Sequence, residues 1–276
     1  MIGKLKNFIY KLIRSSGYDL IGRKNIVKHN SYDAIHKFIL KEFVYKNINN
    51  SKVIIFDVGA NEGDSIMRFN NIFQNIFIHS FEPNPFLIQK IKNSKNLRNY
   101  KLNSIALADK KEKKKFHFYK AHRVSSFYPM VENSKYKSQR FKDDSDEEIK
   151  EINVSTLDEY CKDNKIDKID LLKIDTQGSE ADVLAGSKYM LSNKLINIIE
   201  LEYIIGIAHK NSCNLYDIEK QLYEFGYKLI AIENADNVLS FSNYQTNLIY
   251  VKRDIYSDIE RFHQNNLDVK NVTNKV

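Results

Sequence analysis

Two glycines and several polar side chains follow the first strand-like segment of the chain, in the stretch FDVGANEGDS at residues 56–65. Gly59 and Gly63 would let the backbone turn tightly and approach a ligand closely. Asn61, between them, tolerates a left-handed conformation better than most residues. The third glycine of a nicotinamide-type G-x-G-x-x-G loop is missing from the stretch. The spacing therefore predicts a cofactor loop of another kind.

Two carboxylates indicate which cofactor this loop would bind. Asp57 comes two residues before the first glycine, where its charge disfavours a pyrophosphate and suits a cofactor that carries an ammonium group. Glu82 ends the next predicted strand, 19 residues after Gly63, where an acidic residue can accept hydrogen bonds from ribose hydroxyls. S-adenosylmethionine (SAM) has an ammonium group, a cationic sulfonium and a ribose. We therefore expect SAM as cofactor and S-adenosylhomocysteine (SAH) as its product.

The elements that position these residues alternate along the chain. Strands are predicted for KVIIFDVG, NIFIHSFEP, YKLNSIALAD, KEINVST, IDLLKID and LINIIELEYI, with helices between most of them, and then for YKLIAIEN and NLIYVKR. This alternation is typical of a doubly wound parallel sheet, in which ligands bind at the carboxyl ends of the strands. No helical pattern separates the last two segments, so they predict a hairpin with an antiparallel last strand.

The pattern divides the chain into two parts. Residues 1–50 predict a basic helical extension, with amphipathic helices near 2–14 and 32–47, and residues 51–276 predict one α/β domain. Residues 110–150 interrupt the alternation. Within them KFHFYKA alternates like a strand, and the polar, aromatic stretch that follows has no clear period. We interpret this stretch as an insertion or long loop, where substrate specificity often resides.

Seven motifs give the chain a specific resemblance to a known family. DVGANEGDS, FEPNP, ALAD, VSSF, VSTLDEY, LLKIDTQGSEADVLAGS and IIELEY occur in the order and spacing of the FkbM-type SAM-dependent methyltransferases, over about residues 52–252. The resemblance implies a Rossmann-like class I methyltransferase fold, with a seven-stranded, mostly parallel sheet whose last strand is antiparallel. Members of this family are mostly O-methyltransferases that act on hydroxyls of sugars or natural products.

The resemblance also implies a set of cofactor residues. Asp57, Gly59, Ala60, Asn61 and Gly63 would form the SAM loop, Glu82 would bind the ribose, Pro83 and Asn84 would shape the turn after it, and Ser104 and Ala106 would flank the adenine.

Asp175 ends the strand LLKID, opposite the predicted cofactor loop. Its carboxylate could face the sulfonium, orient the acceptor, bind a metal or simply cap the helix that starts near Ser179. Glu200 and Glu202 lie two residues apart near the end of another strand, so they should face the same side. Lys173 is expected to point outward from its strand.

Methylation of a sugar hydroxyl is helped by a general base, by about 100- to 10,000-fold. We rank Asp175 first and Glu202 second for this role, with His209 and His122 as further candidates. A divalent ion could also acidify the hydroxyl. No dense cluster of carboxylates or histidines in the sequence demands one, so we expect no tightly bound metal.

Composition and charge bear on partners and location. The net charge of +8 is concentrated in residues 1–30 and in DKKEKKK at 109–115, which could be solvated surface or could attract an anionic partner. Basic residues are not interleaved with aromatic ones on one element, so no nucleic-acid partner is expected. The helix at 2–14 could lie on a membrane surface or pack against this protein or a second copy in a homo-oligomer. Two isolated cysteines and no apolar run of about 18 residues predict a cytoplasmic location.

The function predicted from the sequence is O-methylation of a carbohydrate hydroxyl by SAM, with a nucleotide-linked sugar or a surface-polysaccharide precursor as acceptor. Three alternatives stay open at this stage. One is an O-methyltransferase of a polyketide or another small molecule. Another is a non-catalytic SAM-fold module that binds a membrane or a partner through its N-terminal helix. A nicotinamide oxidoreductase is the third, and Asp57 and the missing third glycine oppose it.

Overall fold

A computed structural model of the chain describes residues 31–45, 51–131, 147–205, 208–232 and 245–273. The helix predicted at 2–14 and the middle of the insertion predicted at about 110–150 lie outside these ranges. In the part that is described, no helix is both long enough and apolar enough to cross a bilayer.

The described residues form ten strands and eight α-helices. The strands are β1 Val53–Val58, β2 Ile76–Phe81, β3 Tyr100–Asn103, β4 Ala106–Leu107, β5 Glu112–Tyr119, β6 Glu147–Ser155, β7 Ile169–Ile174, β8 Ile196–Ile204, β9 Tyr227–Ile232 and β10 Gln245–Lys252. The helices are α1 Ser31–Ile39, α2 Asp64–Ile72, α3 Pro85–Asn93, α4 Leu157–Asp163, α5 Glu180–Ala185, α6 Lys188–Ser192, α7 Leu215–Glu224 and α8 Arg253–Thr273. A π-helical turn, Leu40–Val44, extends α1, and a 3₁₀ turn spans His122–Val124.

Seven strands form one sheet in the order β3-β2-β1-β7-β8-β10-β9. All neighbouring pairs are parallel except those of β10, which runs antiparallel to both β8 and β9. The seven-stranded sheet and its antiparallel last strand are therefore confirmed. The strand order reverses next to β1, which opens a crevice at the carboxyl ends of β1 and β7, where ligands bind in such sheets.

Both faces of the sheet are covered by helices, so its central strands are buried throughout. In β1, Val53 and Ile55 pack into the core on the side of α1, α2 and α8. Phe56 and Val58 pack into the core on the opposite side, with α4 to α7. Every residue of β7 is buried. The alternation of side chains along each strand therefore decides which of the two helical layers a residue faces.

A second, three-stranded sheet in the order β4-β6-β5 stands over the carboxyl end of the main sheet. The segment YKLNSIALAD, predicted as one strand, is divided into β3 of the main sheet and β4 of the small one. KEINVST, predicted as part of the main alternation, belongs to β6, which pairs antiparallel with β5. The predicted insertion thus contributes a hairpin that packs beside the cofactor region.

Two local features depart from or refine the sequence interpretation. The segment SEADVLAGSKYMLSN, predicted as one helix, is two short helices interrupted at Gly186. A Cβ at Gly186 would lie 2.0 Å from the carbonyl oxygen of Ala108. Residue 186 must therefore be glycine for the end of β4 to pack this close to the helices. The described part of the N-terminal extension does not stand apart, because Ile39 and Leu40 are buried in the same core as β1.

Candidate active site

A cavity of about 270 Å³ opens at the carboxyl ends of β1, β2 and β7, under the small sheet. Nine of the residues predicted from the sequence line it: Gly59, Ala60, Asn61, Glu82, Pro83, Ala106, His122, Asp175 and Glu202. Among the predicted residues, five lie off its wall: Asp57, Gly63, Asn84, Ser104 and His209.

The loop after β1 is hydrogen-bonded to the end of β2 on one side and lies close to the end of β7 on the other. The N–H groups of Gly59 and Ala60 each donate to the carbonyl oxygen of Phe81, at 3.0 Å. Gly59 has φ +87°, and a Cβ there would lie 1.9 Å from the carbonyl oxygen of Asp175. Asn61 has φ 48°, which confirms the predicted left-handed turn. The glycine at 59 is therefore required for the close approach of β1 and β7 at the cavity.

Glu82 connects this loop to the turn after β2. Its Oε2 accepts the backbone N–H of Asn61 at 2.9 Å, and its Oε1 accepts that of Asn84 at 2.8 Å. Burial raises the pKa of Glu82 to about 7, although these two bonds favour the carboxylate. Each carboxylate oxygen has more than one lone pair, so the group can still accept bonds from ribose hydroxyls.

Asp57 does not reach the cavity. It comes just before the end of β1, and alternation sends its side chain toward the α1 and α2 layer, where it is fully buried. Its Oδ1 lies 3.6 Å from Nζ of Lys173. Burial raises the pKa of Asp57, and the Lys173 ammonium opposes that rise. The carboxylate predicted to contact the cofactor's ammonium group instead contacts a lysine ammonium below the loop.

The expectation that Lys173 points outward is wrong, because a central strand of a doubly wound sheet has no outward face. It is 7% exposed, and its Nζ lies 3.2 Å from Oδ2 of Asp175. Burial disfavours the ammonium, but the carboxylates of Asp175 and Asp57 outweigh it and hold the pKa of Lys173 above its ordinary value. The sequence could have placed Lys173 beside Asp175, since residues two apart on a strand share a face.

Gln177 joins the two carboxylates that were ranked first and second as general base. Its Nε2 donates to Oδ1 of Asp175 at 3.0 Å and to Oε2 of Glu202 at 2.6 Å. Gln177 has φ 56°, an uncommon conformation for a residue with a side chain, and these bonds hold it there. This residue was missed, although it follows Asp175 closely in the LLKIDTQGSE motif.

The pKa values of the two carboxyl groups are shifted in opposite directions. Burial and the neighbouring Asp175 charge raise the pKa of Glu202 to about 9. Burial also opposes ionisation of Asp175, but the ammonium of Lys173 and the hydrogen bond from Gln177 outweigh it and hold its pKa below the ordinary value. Asp175 is therefore the carboxylate of the pair, and Glu202 is the carboxylic acid that hydrogen-bonds it.

Glu200 faces the same side as Glu202 but does not reach the cavity. Nη2 of Arg68, on α2, contacts both of its carboxylate oxygens, at 2.9 and 2.7 Å, and Nε2 of His36, on α1, lies 3.4 Å away. Arg68 outweighs the effect of burial and lowers the pKa of Glu200. This carboxylate holds α1 and α2 against the sheet.

The two histidines have different positions. His209 is fully buried away from the cavity, and its ring Nε2 lies 2.9 Å from the carbonyl oxygen of Val124. Burial lowers the pKa of His209, so the ring is neutral and ties two loops together. His122 lines the cavity.

The cavity has an apolar wall that the sequence did not reveal, formed by β4, β5, the 3₁₀ turn and loop after β5, and α3. Ser104 is exposed and lies outside the wall, while Ala106 is part of it. The unforeseen members are Leu87, Leu107, Phe116, Val124 and Phe127. Apolar surface of this kind suits a flat adenine ring.

The cavity fits SAM by the chemistry of its donors and acceptors. Oδ1 of Asn61 and Oε1 of Gln177 are buried and have no hydrogen-bond partner among the described residues. Both can accept from the ammonium or hydroxyl groups of a ligand. The carboxylates of Glu82 and Asp175 add negative charge that suits a cation. SAM carries these groups together with an adenine, so the residues present match the cofactor.

Fold and site together define a class I SAM-dependent methyltransferase domain. Residues 57–229 match the model of the family described as "Methyltransferase FkbM domain". That match covers more than half of the chain, so the chain belongs to this family.

Three individual proteins resemble the chain more distantly. A 2-O-methyltransferase, NoeI, of Sinorhizobium fredii is 29% identical over 148 residues, which are 50% of this chain and 59% of that protein. The matched region therefore spans less than two thirds of that relative. The precorrin-6y C5,15-methyltransferase of Geobacter metallireducens shares 13% identity at a TM-score of 0.42, covering 84% of this chain and 93% of that one. The METTL16 methyltransferase domain shares 10% identity at a TM-score of 0.44, covering 85% and 70%.

Proposed function

We propose that this protein is an O-methyltransferase that transfers the methyl group of SAM to a hydroxyl of a carbohydrate. One observation carries the proposal: Gln177 bridges the carboxyl groups of Asp175 and Glu202 at the cavity wall, where a carboxylate can accept the proton of a hydroxyl. The name of the relative, a 2-O-methyltransferase, supports transfer to oxygen.

Three residues of the chain have different roles in the methyl transfer. SAM supplies a methyl group on positively charged sulfur, ready for in-line attack by an oxygen. Asp175 accepts a hydrogen bond from the acceptor hydroxyl and takes its proton while that oxygen replaces the sulfur on the methyl carbon, so that the C–S bond breaks and SAH leaves. Glu202 and Gln177 hold that carboxylate in place, and much of the acceleration comes from this alignment.

Calorimetric titration with SAH and transfer from CD₃-labelled SAM test the proposal together. The protein is incubated with labelled SAM and the carbohydrate fraction of the cells from which the chain derives, and products are analysed by mass spectrometry. We expect micromolar SAH binding and a CD₃ ether on a sugar hydroxyl. Asp175→Asn should bind SAH and lose the transfer by about 100- to 10,000-fold. Label on non-carbohydrate molecules alone, or none from a protein that binds SAH, would contradict the proposal.

A further inference from the structure

A groove continues the cavity on the far side of the His122 ring. It has a volume of about 430 Å³, within the range typical of ligand sites. His122 lines both the cavity and the groove, and Phe86, Lys120, Glu148 and Lys150 also line the groove. A ligand whose reacting hydroxyl lies at Asp175 could therefore extend past His122 into it.

The groove has an aromatic surface that no core requires. The ring of Phe86, in the first turn of α3, is 60% exposed. Its centroid lies 4.7 Å from that of the His122 ring, and the planes are 30° apart. A large exposed aromatic ring beside a ligand cavity is typical of a binding surface. Sugar rings have an apolar C–H face that packs on such a surface.

Asn84 fixes this aromatic pair to the cofactor region. Its Oδ1 accepts the N–H of Phe86 at 3.0 Å, its Nδ2 lies 3.3 Å from Nδ1 of His122, and its own N–H donates to Glu82. The aromatic surface is therefore ordered before a ligand binds, which lowers the entropy cost of binding.

The polar groups of the groove carry both signs of charge. Nζ of Lys150 lies 2.8 Å from Oε1 of Glu148, and both side chains are more than half exposed. Lys120 is also exposed. A pyrophosphate binds best to cations without a carboxylate among them. Mixed donors and acceptors instead match sugar hydroxyls, which both donate and accept.

We propose that this groove is a subsite for a second sugar ring of the acceptor, stacked on Phe86, so that the protein methylates an oligosaccharide or longer glycan. The inference rests on the proposed function and narrows it, because a sugar linked to a nucleoside diphosphate would place a pyrophosphate or base beside Glu148.

The labelled transfer reaction distinguishes these acceptors when its products are separated by size and charge. We expect the CD₃ group on a molecule with at least two sugar residues. Phe86→Ala should then raise KM for that acceptor about tenfold and leave the affinity for SAH unchanged, while Phe86→Tyr should restore KM. Tyr216→Ala, which removes an exposed aromatic ring on α7, is the matched control and should change neither value.

The other possible results would contradict the stacking, the subsite or the proposed function. Label on a nucleotide-linked monosaccharide would leave the proposed function standing and overturn the subsite. An unchanged KM for Phe86→Ala on a labelled oligosaccharide would overturn the stacking. Label on a non-carbohydrate acceptor, or none from a protein that binds SAH, would overturn both.

Discussion

Nζ of Lys173 lies 3.2 Å from Oδ2 of Asp175 at the end of β7, where the lysine is buried and the carboxylate is partly exposed to the cavity. The neighbouring strands add two more carboxylates, since Asp57 on β1 and Glu200 on β8 both lie opposite Lys173. Charges that are removed from water are stable only when they are paired. The lysine therefore links the stability of the sheet to the ionisation of the carboxylate at the cavity.

Replacement of the lysine tests this link. Lys173→Met leaves the fully buried Asp57 without its cation, and loss of one partner of a buried pair costs about 3–5 kcal/mol. We expect the urea midpoint of unfolding to fall accordingly. Lys111→Met, which removes an exposed partner of Glu159, is the control and should leave the midpoint unchanged. Equal shifts for the two variants would contradict the role of the buried lysine.

The double variant Asp57→Asn with Lys173→Met separates stability from catalysis. It removes one buried carboxylate together with the cation, so part of the lost stability should return. Transfer activity should stay low, because Asp175 still lacks the charge that keeps its pKa down. Full recovery of kcat in this folded variant would show that Lys173 acts on the fold alone.

Glu202 should set the alkaline limit of the reaction. Its pKa is raised to about 9, so it is protonated at neutral pH and loses its proton as pH passes that value. The pair with Asp175 would then hold two buried negative charges, and kcat/KM should fall. In Glu202→Gln the amide still donates to Asp175 but cannot ionise. We expect activity within about tenfold of wild type at pH 7 and no decline near pH 9.

The opposite pH profile would identify a different base. If wild-type activity instead rose up to about pH 9 and Glu202→Gln abolished it, Glu202 would be the proton acceptor in place of Asp175.

Cofactor affinity should depend on pH through Glu82. Its pKa is raised to about 7, so the carboxylate that accepts ribose hydroxyls forms as pH rises through that value. The ionised fraction grows about tenfold between pH 6 and 8, and the dissociation constant for SAH should fall by about the same factor. In Glu82→Gln binding should be weaker at pH 8 and nearly independent of pH. Calorimetry at both pH values measures this.

An acid in the loop after β1 is the control for that experiment. Glu62 pairs with Lys90 at 2.6 Å and lies outside the cavity wall. Glu62→Gln should keep the wild-type pH dependence of SAH binding. A flat profile in this variant, or an unchanged profile in Glu82→Gln, would exclude Glu82 as the titrating group.

The sequence predicted well those parts of the site that depend on local geometry. Strand ends, glycine spacing and Asn61 follow from single segments, and the topology of parallel strands brings their carboxyl ends together. The alternation that placed Asp175 in the site also applied to Lys173 two residues earlier. Lys173 was set aside only because one face of its strand was assumed to meet water.

The remaining features depend on segments that are distant in sequence. The pairing of Asp57, Lys173 and Glu200 requires the register between three strands, which no single segment contains. Arg68 and His36 enter from helices on the same face. The apolar wall and the groove depend on how the hairpin of β5 and β6 packs over the main sheet, and no periodicity within that stretch predicts its packing.

Gly59 provides the most direct test of how β1 and β7 form the cavity together. Alanine at this position would have an unfavourable φ and a Cβ 1.9 Å from the backbone oxygen of Asp175, so the strands would have to separate. We expect Gly59→Ala to lose SAH binding by at least about 100-fold, or to fail to fold. Gly226 also has a positive φ, +69°, but a Cβ there would meet only the flexible end of Lys194, at 3.3 Å. Gly226→Ala should therefore cost about 1 kcal/mol of stability and bind SAH normally. Similar SAH affinities for the two folded variants would mean that the contact between Gly59 and Asp175 does not shape the cofactor site.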